Sequence, residues 1–207
     1  MLVGKRRDWL EGEERAWDIL CELPPQDVGH RAKAVYDELF GGYVLPLFNE
    51  EISVSPEDRQ IRGNSLAADL LLNKLHYYSR LSILWYLIQS KDIPLSGNLV
   101  NPSHMSGGLM FERGSHILPL EEIAKRYGSD VQGFLQRGVK FGGDQLDFGD
   151  ASFRLYPFPR VPVVLLLWKS DEEFPAHADI LFDSTCSAHL PMDIIWSTAM
   201  MSILIML

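Results

Sequence analysis

The side chains best equipped for chemistry cluster late in the chain: Arg160, His177, Asp179, Asp183, Cys186 and His189. His177-x-Asp179-x-x-x-Asp183 puts one histidine and two carboxylates at alternate positions of a β-like run. Alternate strand residues lie about 7 Å apart on one face, so His177 and Asp179 are candidate metal ligands completed by a third group from elsewhere. The competing reading, a solvated sheet face, is favoured because charged side chains are mostly exposed. In Asp183-Ser-Thr-Cys186-Ser-Ala-His189 a cysteine stands three residues before a histidine. That pair would make a nucleophilic thiolate if a turn brought the imidazole to the sulfur; a buried, inert cysteine is the commoner outcome. Arg160, held between Pro159 and Pro162, is expected to pair with Asp179 or Asp183. The adjacent carboxylates Asp171, Glu172 and Glu173 would be an acid/base pair only if desolvated, and read better as a solvated hairpin tip.

A second constellation lies upstream. Asp69, Asn73, His76 and Arg80 are spaced 4, 3 and 4 apart, which stacks them on one face of a helix. The plain reading is a solvent stripe. The sharper one is a pocket wall, with His76 and Arg80 among Tyr77, Tyr78, Trp85 and Tyr86 holding an anionic ligand. A ligand site is then expected between this line and the Arg160–His189 region. His104–Gly108 offers backbone amides to an anion, but no strand–loop–helix phosphate fingerprint surrounds it.

The elements that must position these residues follow from periodicity. Trp9–Leu23 and Val28–Phe40 show helical stripes, ended by Pro24-Pro25 and Gly41-Gly42. Tyr43–Phe48 and Glu51–Ser55 predict a hairpin turning at Asn49-Glu50. Ser65–Gln89 predicts one long helix capped by Asn64 or Ser65, apolar on most sides and so largely buried. Asp92–Gly114 is a long aperiodic loop. Leu118–Gly138 predicts two short helices, with Pro119 at the first start and Ser129 or Asp130 capping the second. Strands are predicted at Gln145–Phe148, Phe153–Tyr156, Val161–Trp168 and Ala176–Phe182, the third covered on both faces because Val163–Trp168 is continuously apolar. Helices early and strands late give an α+β fold, helices packed on a mostly antiparallel sheet, ending in an apolar C-terminal helix. One domain over 1–207 is expected, with 1–90 mainly helical around a small hairpin, 91–117 a long loop, 118–140 a helical hairpin and 141–207 a β-rich core plus the last helix.

A net charge of −9 over 207 residues argues against a phosphate-backbone binder. The string from Leu120 to Gly138 has a helix-turn-helix outline, yet its second helix offers only Gln132, Gln136 and Arg137 to a groove. No nucleic acid is therefore expected as a partner. The basic trio Lys5, Arg6 and Arg7 lacks the apolar stretch of a signal peptide. Ile194–Leu207 is uncharged but shorter than the roughly 20 residues of a spanning helix, so no membrane is expected. Cys21 and Cys186 alone form no disulfide framework or cysteine-only cluster, and a reducing cytoplasm is the expected compartment. The last helix is expected in the core or at a homodimer interface, and a protein partner is a further expectation. The sequence names no cofactor.

The run from Gly142 to Asp193 resembles the core of a prokaryotic family, domain of unknown function 3786. The resemblance rests on Gly142-Gly143, Pro157-x-Pro159-Arg160-x-Pro162, Asp171-Glu172-Glu173-Phe174-Pro175, Phe182-Asp183 and Leu190-Pro191. Tyr43–Ser55 and Ser106–Arg137 fit more loosely, so the likeness covers most of the chain. It implies no activity. Some relatives carry a four-cysteine iron–sulfur segment, which implies a setting in anaerobic redox or one-carbon metabolism; with two cysteines this chain cannot hold such a cluster alone. The expected function is a non-catalytic small-ligand-binding or accessory protein in anaerobic-type metabolism, its ligand met by Arg160, Asp183, Cys186, His189, His76 and Arg80. The rival is a metal-dependent or cysteine-based enzyme using His177, Asp183, Cys186 and His189.

Overall fold

A computed structural model of the chain describes residues 2–112 and 114–207, with the backbone alone for 2–10, 112 and 115. The Lys5-Arg6-Arg7 cluster and the apolar positions Trp9 and Leu10 lie outside the described side chains. Two antiparallel sheets carry the fold. The first is a meander of β1 (Val35–Asp37), β2 (Gly42–Leu47), β3 (Glu50–Ser55) and β4 (Gln60–Gly63). The second contains β5 (Leu99–Val100), β6 (Asp144–Leu146), β7 (Ala151–Phe158), β8 (Val161–Trp168) and β9 (His177–Asp183), in the order β5-β9-β8-β7-β6. The helices are α1 (Leu2–Glu22), α2 (Pro25–Ala32), α3 (Leu66–Asp69), α4 (His76–Gln89), α5 (Leu120–Tyr127), α6 (Val131–Lys140), α7 (Cys186–His189) and α8 (Met192–Leu204). This is the α+β class that the order of patterns predicts.

Three local expectations are corrected. The helix predicted over Val28–Phe40 stops at Ala32, where Lys33 takes a left-handed φ of 51° and Val35–Asp37 pairs with β2. Val35 and Leu39, apolar at helical spacing within Val28–Phe40, are exposed, so helical burial gave way to backbone pairing. The hairpin turns at Phe48-Asn49, one residue early, with both φ positive (49° and 66°) and Leu47 opposite Glu50. Two positive φ values suit the right-handed twist of the flanking strands. Phe48 tolerates this because it is fully buried and its N–H donates to the Tyr156 carbonyl at 2.9 Å, tying the first sheet to β7. The long helix predicted over Ser65–Gln89 is broken. Ser65 caps α3 through Oγ, but Leu70–Lys74 widens into a π-turn, and Ser79 Oγ donates to the Leu71 carbonyl at 2.7 Å where the helical ladder is interrupted.

Strand β8 is buried along Val161–Leu167, as its unbroken apolar run predicts. Helix α6 lies on β7 with Phe134 against Phe153, so closely that a Cβ on Gly138 would fall 2.4 Å from the Phe153 ring. Arg137 of α6 donates from Nε to the Ile205 carbonyl at 2.7 Å. The last helix is enclosed by the chain's own elements, with Ile195, Thr198, Ala199, Met201, Ser202 and Ile203 fully buried. Among the described residues no helix is long and apolar enough to cross a membrane.

Candidate functional site

Arg160, Asp183 and His189 do converge, and their common target is a segment of chain, residues 88–100, that runs from the end of α4 into β5. The β7–β8 turn presents Arg160, whose Nη1 donates to the Ile93 carbonyl at 3.0 Å and whose Nε donates to the Arg31 carbonyl. Its ion-pair partner is Asp92; pairing with Asp179 or Asp183 is corrected. Asp183 closes β9 and accepts from the backbone N–H groups of Ser96 (3.1 Å), Gly97 (2.8 Å) and Thr185 (3.0 Å), and from the Thr185 hydroxyl. Burial raises its pKa, but the hydrogen bonds from Thr185, Ser96 and Gly97 outweigh that and hold it at about 2. His189 ends α7, fully buried, and its Nδ1 accepts from the Lys91 N–H at 3.2 Å. Burial, with Arg160 and Lys91 nearby, lowers its pKa to about 4, so the ring is neutral with its proton on Nε2. Arg31 adds a further donor to the Ser90 carbonyl.

Cys186 and His189 point to different partners. The Cys186 thiol, fully buried, meets the Met105 sulfur at 3.6 Å, and burial pushes its pKa up to about 12. A thiol so disfavoured as thiolate is a packing group. The upstream line is likewise divided among separate contacts. Asn73 Nδ2 donates to Asp69 Oδ1 at 2.5 Å, and His76 Nδ1 lies 2.9 Å from the Asn73 carbonyl. Arg80 reaches α1, with Nη2 2.6 Å from Glu13 Oε1. Arg80 and Arg160 thus engage separate carboxylates on separate elements.

His177 and Asp179 line a groove of about 750 Å³ between α5 and the outer edge of β9. One wall is the consecutive run Pro175, Ala176, His177, Ala178 and Asp179; the other is Leu120, Glu121, Ala124 and Lys125 of α5. Asn101 joins them, donating from Nδ2 to Asp179 Oδ1 at 3.0 Å, while His177 stacks on Trp168 with ring centroids 5.5 Å apart. Helix α5 fits the sheet because Gly128 has no side chain: a Cβ there would lie 2.4 Å from Ala176 Cβ. Asp183 is directed to the 96–97 backbone, away from any role beside His177. Among the described residues no three His, Cys, Asp or Glu side chains group to hold a metal ion. The acidic tip Asp171–Glu173 is exposed.

Sequence reading missed Asp92 and Ser96 as the partners of Arg160 and Asp183, and missed α5 as the second wall of the groove. Only Asn101-Pro102 carried a local signal, a capping residue before proline; Asn101 Oδ1 does accept from Ser103 N–H at 3.0 Å.

A sequence model described as Domain of unknown function (DUF3786) matches residues 24–204. No curated protein and no solved structure matches the chain.

Proposed function

The chain belongs to the family described as Domain of unknown function (DUF3786), and on that premise we propose that it is a non-catalytic binding module whose ligand seats in the groove between α5 and β9. The observation that carries this reading is the groove itself. Its volume of about 750 Å³ falls within the range of roughly 300–1,000 Å³ typical of small-ligand sites. Apolar surface from Leu120, Ala124 and Ala178 supplies burial, and the Asn101–Asp179 pair with Lys125 and Glu121 supplies polar selection. The reactive side chains support a non-catalytic role because each already serves the fold: Cys186 against Met105, His189 on Lys91, Asp183 and Arg160 on the 92–97 segment.

The test is a fragment library screened by backbone amide shifts of the labelled full chain. Binding fragments are expected to move Ala124, Lys125 and Ala176–Asp179 together. Hits confined to other surfaces would sink the groove reading. Thiol titration of the same sample should show Cys21, which is exposed, reacting while Cys186 waits for unfolding. A Cys186 that reacts faster than free cysteine, or stoichiometric metal in the purified protein, would favour an enzyme instead.

A further inference from the structure

We infer that the occupant of the α5–β9 groove is an extended segment of a partner protein, added as a strand to the free edge of β9 and carrying a Lys or Arg toward its C-terminal end. This rests on the binding reading above and specifies its ligand.

The first observation is topological. Strand β9 is covered on its outer side by β5, but β5 is two residues long and pairs only with Phe182 and Asp183. After Val100 the chain leaves the sheet through Asn101 into a tight turn over Pro102–His104. Among the described residues no strand pairs with His177–Leu181 on that side. The outward-facing backbone groups are identifiable: Ser184 N–H donates across this edge to the Asn98 carbonyl at 2.8 Å, and amides alternate along a strand, so those of Ile180 and Ala178 face the same way. The Ile180 N–H is closed off by Asp179 Oδ1 at 2.7 Å. Among the described residues no side chain closes off the Ala178 N–H in this way. An unpaired edge is a template for another strand, and proteins block the ones they do not use.

The second observation is the groove's lining. Side chains alternate between the two faces of a strand, so a cavity lying on a face touches every second residue. This one touches three strand residues in succession, His177, Ala178 and Asp179, after Pro175 and Ala176 that lead into the strand, which places it along the backbone edge. Helix α5 forms the opposite wall. A strand edge beside a helix is a recognised seat for an extended peptide, where backbone pairing gives affinity and alternate side chains give specificity.

Charge sets the chemistry of the partner. The exposed carboxylates Asp171, Glu172 and Glu173 immediately precede the end of the groove at Pro175. Lys125, the cation of α5 that lines the groove, is already met by Glu122 at 2.7 Å and Glu121 at 3.9 Å. The mouth near Pro175 is therefore acidic, on a chain of net charge −9. Because β5 runs antiparallel to β9, a strand continuing its path points its C-terminal end toward Pro175, and that is where the partner's cation belongs.

The experiment pans a phage-displayed random linear peptide library on the full chain, then measures one selected peptide by fluorescence anisotropy. Peptides with Lys or Arg near the C-terminal end are expected, losing affinity as salt rises. N-methylation of the peptide backbone should weaken binding about tenfold or more at alternate residues and leave the others unaffected, since each lost hydrogen bond removes one edge contact. Ala178→Pro, which deletes the outward N–H, should weaken binding comparably; the N-methyl series leaves the protein untouched and stands if that variant misfolds. Equal sensitivity at every peptide residue overturns strand addition. Fragments in the groove with no selected peptide would overturn it too while sparing the binding module. A dimer of the chain abolished by Ala178→Pro makes a second copy the occupant and rejects the partner. If neither fragments nor peptides bind, both readings fall.

Discussion

Asp183 and His189 grip the same segment by opposite protonation logic, and this gives the molecule a readable acid response. The His189 ring holds Lys91 only while neutral, and its pKa in the fold, about 4, lies below the ordinary 6.5. The unfolded chain therefore takes up the proton first as pH falls. Stability from this ring is complete above pH 6.5 and is lost on descending toward 4, by about 3 kcal/mol. Asp183, at about 2 against an ordinary 3.8, contributes fully above its unfolded pKa and loses about 2 kcal/mol between there and 2. Urea midpoints measured from pH 7 to pH 2 should fall once the pH drops below 6.5, and His189→Gln should flatten the upper part of the curve while Asp183→Asn flattens the lower. A wild-type curve level between pH 6.5 and 4.5 would contradict this account of His189. At this scale the sequence marked Arg160, Asp183 and His189 because polar residues in an apolar run stand out. It gave no view of Lys91, Asp92 or Ser96, which lie 68–98 residues away in the chain.

At the level of elements, the 88–100 segment is held by side chains more than by regular structure. Its regular pairing is the two-residue β5, and Arg31, Arg160, Asp183 and His189 supply the remaining hold. Removing Arg160 leaves the Arg31 and Ile93 carbonyls and the Asp92 carboxylate without their donor. Arg160→Met, which keeps the aliphatic stem, should cost about 2 kcal/mol, chiefly for the Arg31 and Ile93 carbonyls that lose their donor, because the Asp92 carboxylate is half exposed and water can replace the guanidinium there. Amide exchange should accelerate selectively at residues 91–97; a variant with unchanged exchange there would show the clamp to be incidental. Elements with strong periodicity or clear punctuation were legible: β8, the α5–α6 pair and the β2–β3 hairpin. Those defined by partners were not. The three-residue β1 looked like a helix end because Val35 and Leu39 fit a helical stripe, and the π-turn at Leu70–Lys74 interrupts a stretch whose composition is helical throughout.

For the whole molecule, the two sheets share one buried apolar cluster and are joined by the Phe48–Tyr156 backbone hydrogen bond, while Tyr86 of α4 stacks on Phe158 of β7 with ring centroids 4.5 Å apart. One cooperative unfolding transition is the expected outcome, with tryptophan fluorescence and far-ultraviolet dichroism falling on one curve. Two separated transitions would divide the chain between the sheets. Because α8 is enclosed within the chain, its burial needs no second copy; the association surface proposed above is the β9 edge with its groove.

By itself the sequence determined the class of fold, the burial of β8, the family resemblance and the polar residues of the late stretch. These depend on local alternation, punctuation and composition, which a single chain displays directly. Tertiary structure alone decided what those residues do. It turned Cys186 and His189 away from each other, gave Arg160 to Asp92, and left β9 open because β5 ends after two residues. Each of those outcomes depends on contacts between positions far apart in the chain, and sequence spacing carries no record of them.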